Sequence, residues 1–409
     1  MFACFNYTAS AETNIVMLIH GLYIISLALL ILSLSPLFTP LFELIHLPAG
    51  MKTVFIQLFS LVVTTVIFIT KERHKRCFSE VLSVVFVWLP FIAYMAIRTD
   101  FSDEYSSVKF WKIIFISFLS AVSITIIYMS KDGSFNKYFF PAVVALVAWQ
   151  LVEALVNPAV FMYASTIERM TVDSVNPIWL ARAFATAALC CLMLPIKSSV
   201  LKITGAVVFL AMIIPTGSRG PLLAGGIGFF LYFSIRFSNI QHIKLKMFFA
   251  TVSLLLVALA SSSYLAPEVG GYFTRGSEKS FVEESGRLGL FSRAWGEYMS
   301  SPAVGVGFGQ YGRSGQKLLG SMSQSGYYPH NIILEILSEL GMLGIILFAV
   351  ILRPGEYLYR IRNIYQIIFI VYLLFSMTSG SLVANSGLMV FATLARLSYK
   401  YPDRSLDIK

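Results

Sequence analysis

Charge is scarce in this chain: only 13% of its 409 residues are Asp, Glu, Lys or Arg. A soluble protein of this length carries about twice that share. Metal and disulfide chemistry also lack material. The four cysteines are Cys4, Cys77, Cys190 and Cys191. Two are adjacent inside an apolar run and none has metal-ligand spacing, so neither a zinc site nor a structural disulfide is expected. There is no GxxxxGK[ST] loop to cradle phosphates and no HExxH helix. With no soluble domain to hold a nucleotide, no cofactor is expected, and an enzyme built this way must use a lipid-borne donor. No internal repeat of the kind that marks many secondary transporters is visible. The first apolar run has neither the basic start nor the cleavage pattern of a signal peptide, and it reads as a first helix.

What the chain has in quantity is apolar residues, 57% of the total. They gather into runs at 15–35, 53–70, 79–97, 109–129, 138–156, 179–196, 201–216, 220–236, 247–265, 331–352, 364–382 and 385–399. Runs of about 20 such residues suit a hydrocarbon core about 30 Å thick. They do not alternate with period two, as strands of an outer-membrane barrel would. The expected fold is therefore an all-α polytopic membrane protein of about twelve transmembrane helices.

The loops divide by charge. KERHKR (71–76), Lys131 with Lys137, Lys197 with Lys202, Arg236 with Lys244 and Lys246, and Arg353 with Arg360 and Arg362 fall on one side. That side is cytoplasmic by the positive-inside bias, and it takes up the net charge of +10 without calling for a nucleic-acid partner. The opposite loops hold Asp100, Asp103 and Glu104, then Glu168 and Asp173. Both termini are then cytoplasmic. The expected organisation is helices one to nine over 1–265, a large external loop over 266–330, and helices ten to twelve with a cytoplasmic tail over 331–409. Within the loop, ESGRLGLFSRAWGEYMSSP (284–302) has helical spacing, with Leu288, Phe291, Trp295 and Tyr298 on one face and Pro302 at the end. Such a loop reads as a cap over a site in the membrane.

Candidate chemistry collects on the same external side. His330, one of five histidines, stands between Pro329 and Asn331 at the mouth of the tenth run. A histidine there can exchange a proton near neutral pH, and a helix N-terminus attracts anions; a merely interfacial histidine is the competing reading. Arg219 sits in a very short external turn, PTGSRGPLLAGG (215–226), against the usual charge bias. A guanidinium there suits a phosphate, which it binds bidentately; a snorkelling arginine is the alternative. Arg275, Arg287 and Arg293 lie on the loop, where Arg293 reads first as a solvated charge, and Arg182 is a further external-side cation. Glu335 and Glu339 are four apart on one helix face. They read either as a site for a cation or protons, or as partners of a helix cation. Gly341 and Gly344 are expected to let another helix pack close.

Three blocks then point to a family. PHNIILEILSELGMLGIILF (329–348), SGRLGLFSRAWGEYMSSPAVGVGFGQY (285–311) and TGSRGPLLA (216–224) resemble, in order, signatures of the bacterial O-antigen ligase and polymerase superfamily. The resemblance implies a metal-independent, inverting, C-type membrane glycosyltransferase. Its donor would be a glycan on undecaprenyl diphosphate, its site would face the periplasm, and it would reside in the inner membrane. It makes His330, Arg219 and Arg287 catalytic, with Arg182, Arg275, Arg293, Asn331 and Glu335 as candidate substrate-binding residues. The ligases compared often carry His-x-His-Asn, where this chain has Tyr328-Pro329-His330-Asn331, which favours an O-antigen polymerase joining lipid-linked repeats. The ligase reading, transfer to lipid A–core, stays open beside it. So does a lipid-linked oligosaccharide flippase, although charge concentrated at one face favours an enzyme. The expected partners are the bilayer, the lipid-linked oligosaccharide and a chain-length regulator.

Overall fold

The computed structural model describes residues 74–130, 134–156, 177–236, 277–311, 328–359 and 361–402. The runs expected at 15–35, 53–70 and 247–265 lie outside the described residues, as does Arg275. Among the described residues the architecture is all-helical, with a single isolated bridge between Thr99 and Phe308 in place of a sheet.

The helices, in chain order, are α1 (His74–Arg98), α2 (Glu104–Lys112), α3 (Leu119–Ser130), α4 (Ser134–Val156), α5 (Pro177–Cys191), α6 (Ser199–Ala211), α7 (Arg219–Arg236), α8 (Ser277–Ser300), α9 (Ile332–Leu352), the short α10 (Pro354–Tyr357), α11 (Ile364–Thr378) and α12 (Ser386–Lys400). A π-helical turn, Ile113–Phe118, joins α2 to α3 into one apolar rod. Among the described residues, four stretches are long and apolar enough to cross a bilayer: Arg76–Arg98, Glu104–Met129, Ser199–Thr216 and Ile332–Leu352. Tyr138–Val152, Pro177–Cys191 and Ile364–Thr378 are apolar but shorter.

Helix α5 shows why the core forms where it does. Every side chain from Leu180 to Cys191 is buried, and five of them are alanines, which let α4, α6 and α7 approach closely. A helix apolar on all sides belongs inside the bundle. Helix α11 is its counterpart, buried against α7 and α12, and the packing continues from α12 through α3 and α1 to α9 and α8. Large apolar side chains on the outer faces stay exposed, among them Phe86 and Ile97 on α1, Trp149 on α4, Val200 on α6 and Ile346 on α9. On helices this apolar, such surface suits lipid rather than water.

The tenth run is not one continuous rod. Helix α9 is interrupted at Gly341, whose φ of 66° and ψ of −164° fall where only glycine sits without strain. The break frees backbone groups, and the run Pro302–Gly309 supplies their partners. Val306 N donates to Ser338 O (2.9 Å) and Gly307 N to Glu339 O (3.0 Å), while Met342 N and Leu343 N donate to Pro302 O (2.8 Å) and Ala303 O (3.1 Å). Non-helical backbone at membrane depth is tolerated only when protein surrounds it in this way. Gly305, Gly307 and Gly309 all have positive φ, and a Cβ on Gly309 would lie 2.5 Å from Ser106 Oγ. The expectation that Gly341 and Gly344 admit a second helix is thus corrected. An extended run meets Gly341, and Gly344 faces Leu340 and Ile336 of its own helix.

Helix α8 covers the segment expected to be helical and begins earlier, at Ser277. Its buried side differs from the expected face. Ala294 is buried and Leu290, Phe291 and Tyr298 partly so, whereas Leu288 and Trp295 are exposed. Tyr311 sets this rotation by packing against Leu290 and Arg293.

Candidate active site

Three helices meet where α11 ends and the chain turns through 379–385 to α12. From α9, Asn331 Nδ2 donates to Met377 O at 3.3 Å. From α7, Gly220 lies so close that a Cβ there would be 2.8 Å from Thr378 Oγ1. From α5, Arg182 donates through Nη2 to Phe375 O (2.8 Å), Ser379 O (2.6 Å) and Ser379 Oγ (2.8 Å), and through Nη1 to Asn385 Oδ1 (3.0 Å). Also from α9, Glu335 Oε2 accepts Leu382 N–H at 2.8 Å. His330 and Arg219, each next in sequence to one of these contacts, are brought to the same end of the bundle.

His330 has φ of 53°, in the left-handed region. Histidine enters it more readily than most residues, but a cost of about 1–3 kcal/mol remains for the surroundings to hold. Asn331 does much of that holding: its Oδ1 accepts Ile333 N (3.0 Å) and Leu334 N (3.1 Å), fixing the start of α9. The half-buried His330 ring lies against Tyr328, with centroids 4.3 Å apart. Since Asn331 O takes Glu335 N as well, three donors at this helix start already have protein acceptors, which limits what it offers to an anion. The Asn331 amide is bonded at both ends, to the start of α9 and to the end of α11.

Arg219 opens α7 after a short 3-10 turn, Ile214–Thr216, that closes in left-handed Gly217. Its side chain is partly exposed. Arg287 lies on α8. Arg293 pairs with Glu297 at 3.2 Å, donates to Tyr311 O at 2.7 Å and stacks 4.7 Å above the Tyr311 ring. It braces α8 against the end of the glycine run rather than standing as the solvated charge its loop position implies. Tyr311 OH donates to Leu290 O at 3.0 Å. Burial pushes this phenol well up despite the opposing Arg293, so it keeps the proton it donates. Arg182, buried between the rings of Trp179 (4.8 Å) and Phe375 (5.3 Å), has only neutral partners among the described side chains.

The carboxylates on α9 have a shared partner that the sequence reading missed. Lys109 Nζ is 2.6 Å from Glu335 Oε1 and 2.7 Å from Glu339 Oε2, with all three side chains buried. The Phe308 ring lies 5.0 Å from Nζ. Lys109 sits at the edge of an apolar run and looks like a snorkelling end residue. The signal that would have found it is the Glu335–Glu339 pair itself, because two carboxylates facing one way inside an apolar helix need a cation. Arg98 and Tyr94 were missed for the same reason: Arg98 Nη2 donates to Gly305 O (2.7 Å), and Tyr94 OH bridges Leu340 O (2.9 Å) and Val304 O (3.1 Å).

The three sequence blocks thus assemble around the start and the break of α9. Residues 204–349 match the family model described as O-antigen ligase. The match covers less than half of the chain, and it contains all three blocks. Comparison with curated proteins and with solved structures gives no match. The family is one of membrane-bound, glycosyltransferase-like enzymes, and the match supports a function of the O-antigen ligase or polymerase type.

Proposed function

We propose that the protein is an O-antigen polymerase that joins undecaprenyl-diphosphate-linked repeat units at the periplasmic face of the bacterial inner membrane. The observation that carries the reading is the placement of His330. It opens a capped helix in strained backbone, at the bundle end where α5, α7 and α9 meet the 379–385 turn.

In this reading His330 takes the proton from the acceptor hydroxyl as its oxygen attacks the anomeric carbon of the donor glycan. The bond to the diphosphate oxygen breaks on the opposite face, and configuration inverts. Arg219 and Arg287 hold the diphosphate and stabilise the negative charge that it takes away. The stretch 266–330 is assigned to the periplasmic side of the membrane. Arg182, Arg293, Asn331 and Glu335 act behind it, because their polar atoms bind backbone and neighbouring side chains. The described family name favours a second reading, a ligase that transfers finished glycan to lipid A–core.

Deletion followed by gel analysis of the glycans separates the two. Loss of a polymerase leaves single repeats on lipid A–core, and loss of a ligase leaves polymer on the lipid carrier. With purified protein and a lipid-linked repeat, His330→Ala and His330→Gln should both lose turnover, since glutamine positions a hydroxyl but accepts no proton at neutral pH. Near-normal turnover in His330→Gln would overturn the general-base role, and near-normal turnover in both would remove the histidine from the chemistry.

A further inference from the structure

We infer that the buried Lys109–Glu335 pair is a positioning device that sets His330 against the 379–385 turn, which Arg182 of α5 holds. The inference rests on the reading of His330 above. Glu335 closes the first turn of α9, which His330 and Asn331 introduce. One of its oxygens meets Lys109 Nζ at 2.6 Å and the other accepts Leu382 N–H at 2.8 Å. Leu382 lies in the 379–385 turn that Arg182 holds through Ser379 and Asn385. Glu335 therefore bonds three parts at once: the helix that presents His330, the turn behind it, and α2.

Glu339 meets the same lysine, at 2.7 Å, and is equally buried, yet its surroundings differ. Both its carboxylate oxygens accept from Lys109 Nζ at 2.7 Å, and it is its backbone carbonyl, not its side chain, that accepts Gly307 N–H (3.0 Å) in the break of α9. It has no bond to the 379–385 turn among the described residues. One lysine thus serves two carboxylates with separate tasks. Glu335 registers the site through the turn, and Glu339 balances the charge of Lys109.

The two acids share burial, helix and cation, and a cluster that only stabilised the fold would respond alike to losing either. Each single loss leaves Lys109 with one carboxylate, a matched pair. Glu335→Met also leaves Leu382 N–H without its acceptor. Turnover of a lipid-linked repeat is measured for Glu335→Met and Glu339→Met at matched protein, beside His330→Ala. The expected result is that Glu335→Met lowers kcat by about tenfold or more with KM within about threefold, while Glu339→Met keeps kcat within about threefold. Lys109→Met, which strands both acids, should fall at least as far as Glu335→Met. Equal effects of the two single variants on kcat, or an equal loss of folded protein, would overturn the inference. A fully active His330→Ala would instead overturn the functional reading. A dead His330→Ala beside equally mild effects at Glu335 and Glu339 would sink the positioning role alone.

Discussion

Replacing Gly341 by alanine should be among the most damaging single-methyl changes in the protein. The backbone there, φ 66° and ψ −164°, is open to glycine and costs other residues about 1–3 kcal/mol. The new Cβ would also lie 2.5 Å from Ala303 C and from Val304 N, closer than real Cβ atoms come to anything. Both neighbours are backbone, so the clash is relieved only by moving the run out of the break. That run makes four hydrogen bonds to the two halves of α9. Losing two of them in a buried setting adds about 2–6 kcal/mol, at about 1–3 kcal/mol for each group left without a partner. The total, about 3–9 kcal/mol, is comparable with the whole stability of a typical domain, about 5–15 kcal/mol. The assay is thermal melting of detergent-purified protein, read with membrane abundance, and Gly341→Ala should be scarce or melt well below wild type. Gly296→Ala is the control. It lies on α8, its added Cβ meets nothing within 4 Å, and alanine there should stabilise by about 0.5–1 kcal/mol. Gly341→Ala melting within about 2 °C of wild type at normal abundance would show that the glycine run does not occupy the break.

Two further outcomes follow from buried charges away from the site. Glu80 on α1 joins Arg396 (2.8 Å), Lys400 and Tyr401 (2.9 Å) at the end of α12, and because solvent screens the half-exposed Lys400, Glu80→Gln should cost about 1–3 kcal/mol in melting experiments. An unchanged melting temperature would mean that this clasp adds nothing. Arg293→Met should loosen α8 from Tyr311 and lower the melting temperature by the equivalent of about 1–2 kcal/mol, and Arg293→Lys should recover little, because a point charge cannot both stack on Tyr311 and bond Glu297 with Tyr311 O. Full recovery with lysine would show that only the charge matters.

The helices were legible where local pattern decides them. Apolar runs at 79–97, 109–129, 138–156 and 220–236 lie within the observed helices, with ends displaced by a few residues. Three departures share a cause. The runs expected to reach 196, 216 and 382 stop as helices at Cys191, Ala211 and Thr378. Hydropathy measures the environment and not the hydrogen-bond pattern, and the residues beyond each end are still largely apolar or small. The break at Gly341 was hidden in the same way, since ELGMLG reads as uninterrupted helix. Its signature lies about 35 residues upstream, in a run of alternate glycines that has no role as a surface loop and a clear one as inserted backbone.

Charge inside apolar sequence marks residues that hold the chain's own turns, and it does not say what each residue does. Arg182, Glu335 and Arg98 end on irregular backbone, the 379–385 turn or the glycine run, and Lys109 holds the carboxylates of Glu335 and Glu339 on the helix that this backbone breaks. The reason is general to membrane proteins. Backbone that leaves the helix at membrane depth loses its own partners, water is not there to replace them, and charged side chains are the strongest donors and acceptors available. A buried ion in such a chain therefore has two very different uses, on substrate or on the chain's own turns, and sequence position alone does not separate them. Partner geometry does. Guanidinium and carboxylate groups whose bonds run to carbonyls and N–H groups of a neighbouring turn build the frame. In this protein that frame adjoins His330 and Arg219, each next in sequence to a residue that contacts the end of α11, and to these two, with Arg287, the proposed chemistry is assigned.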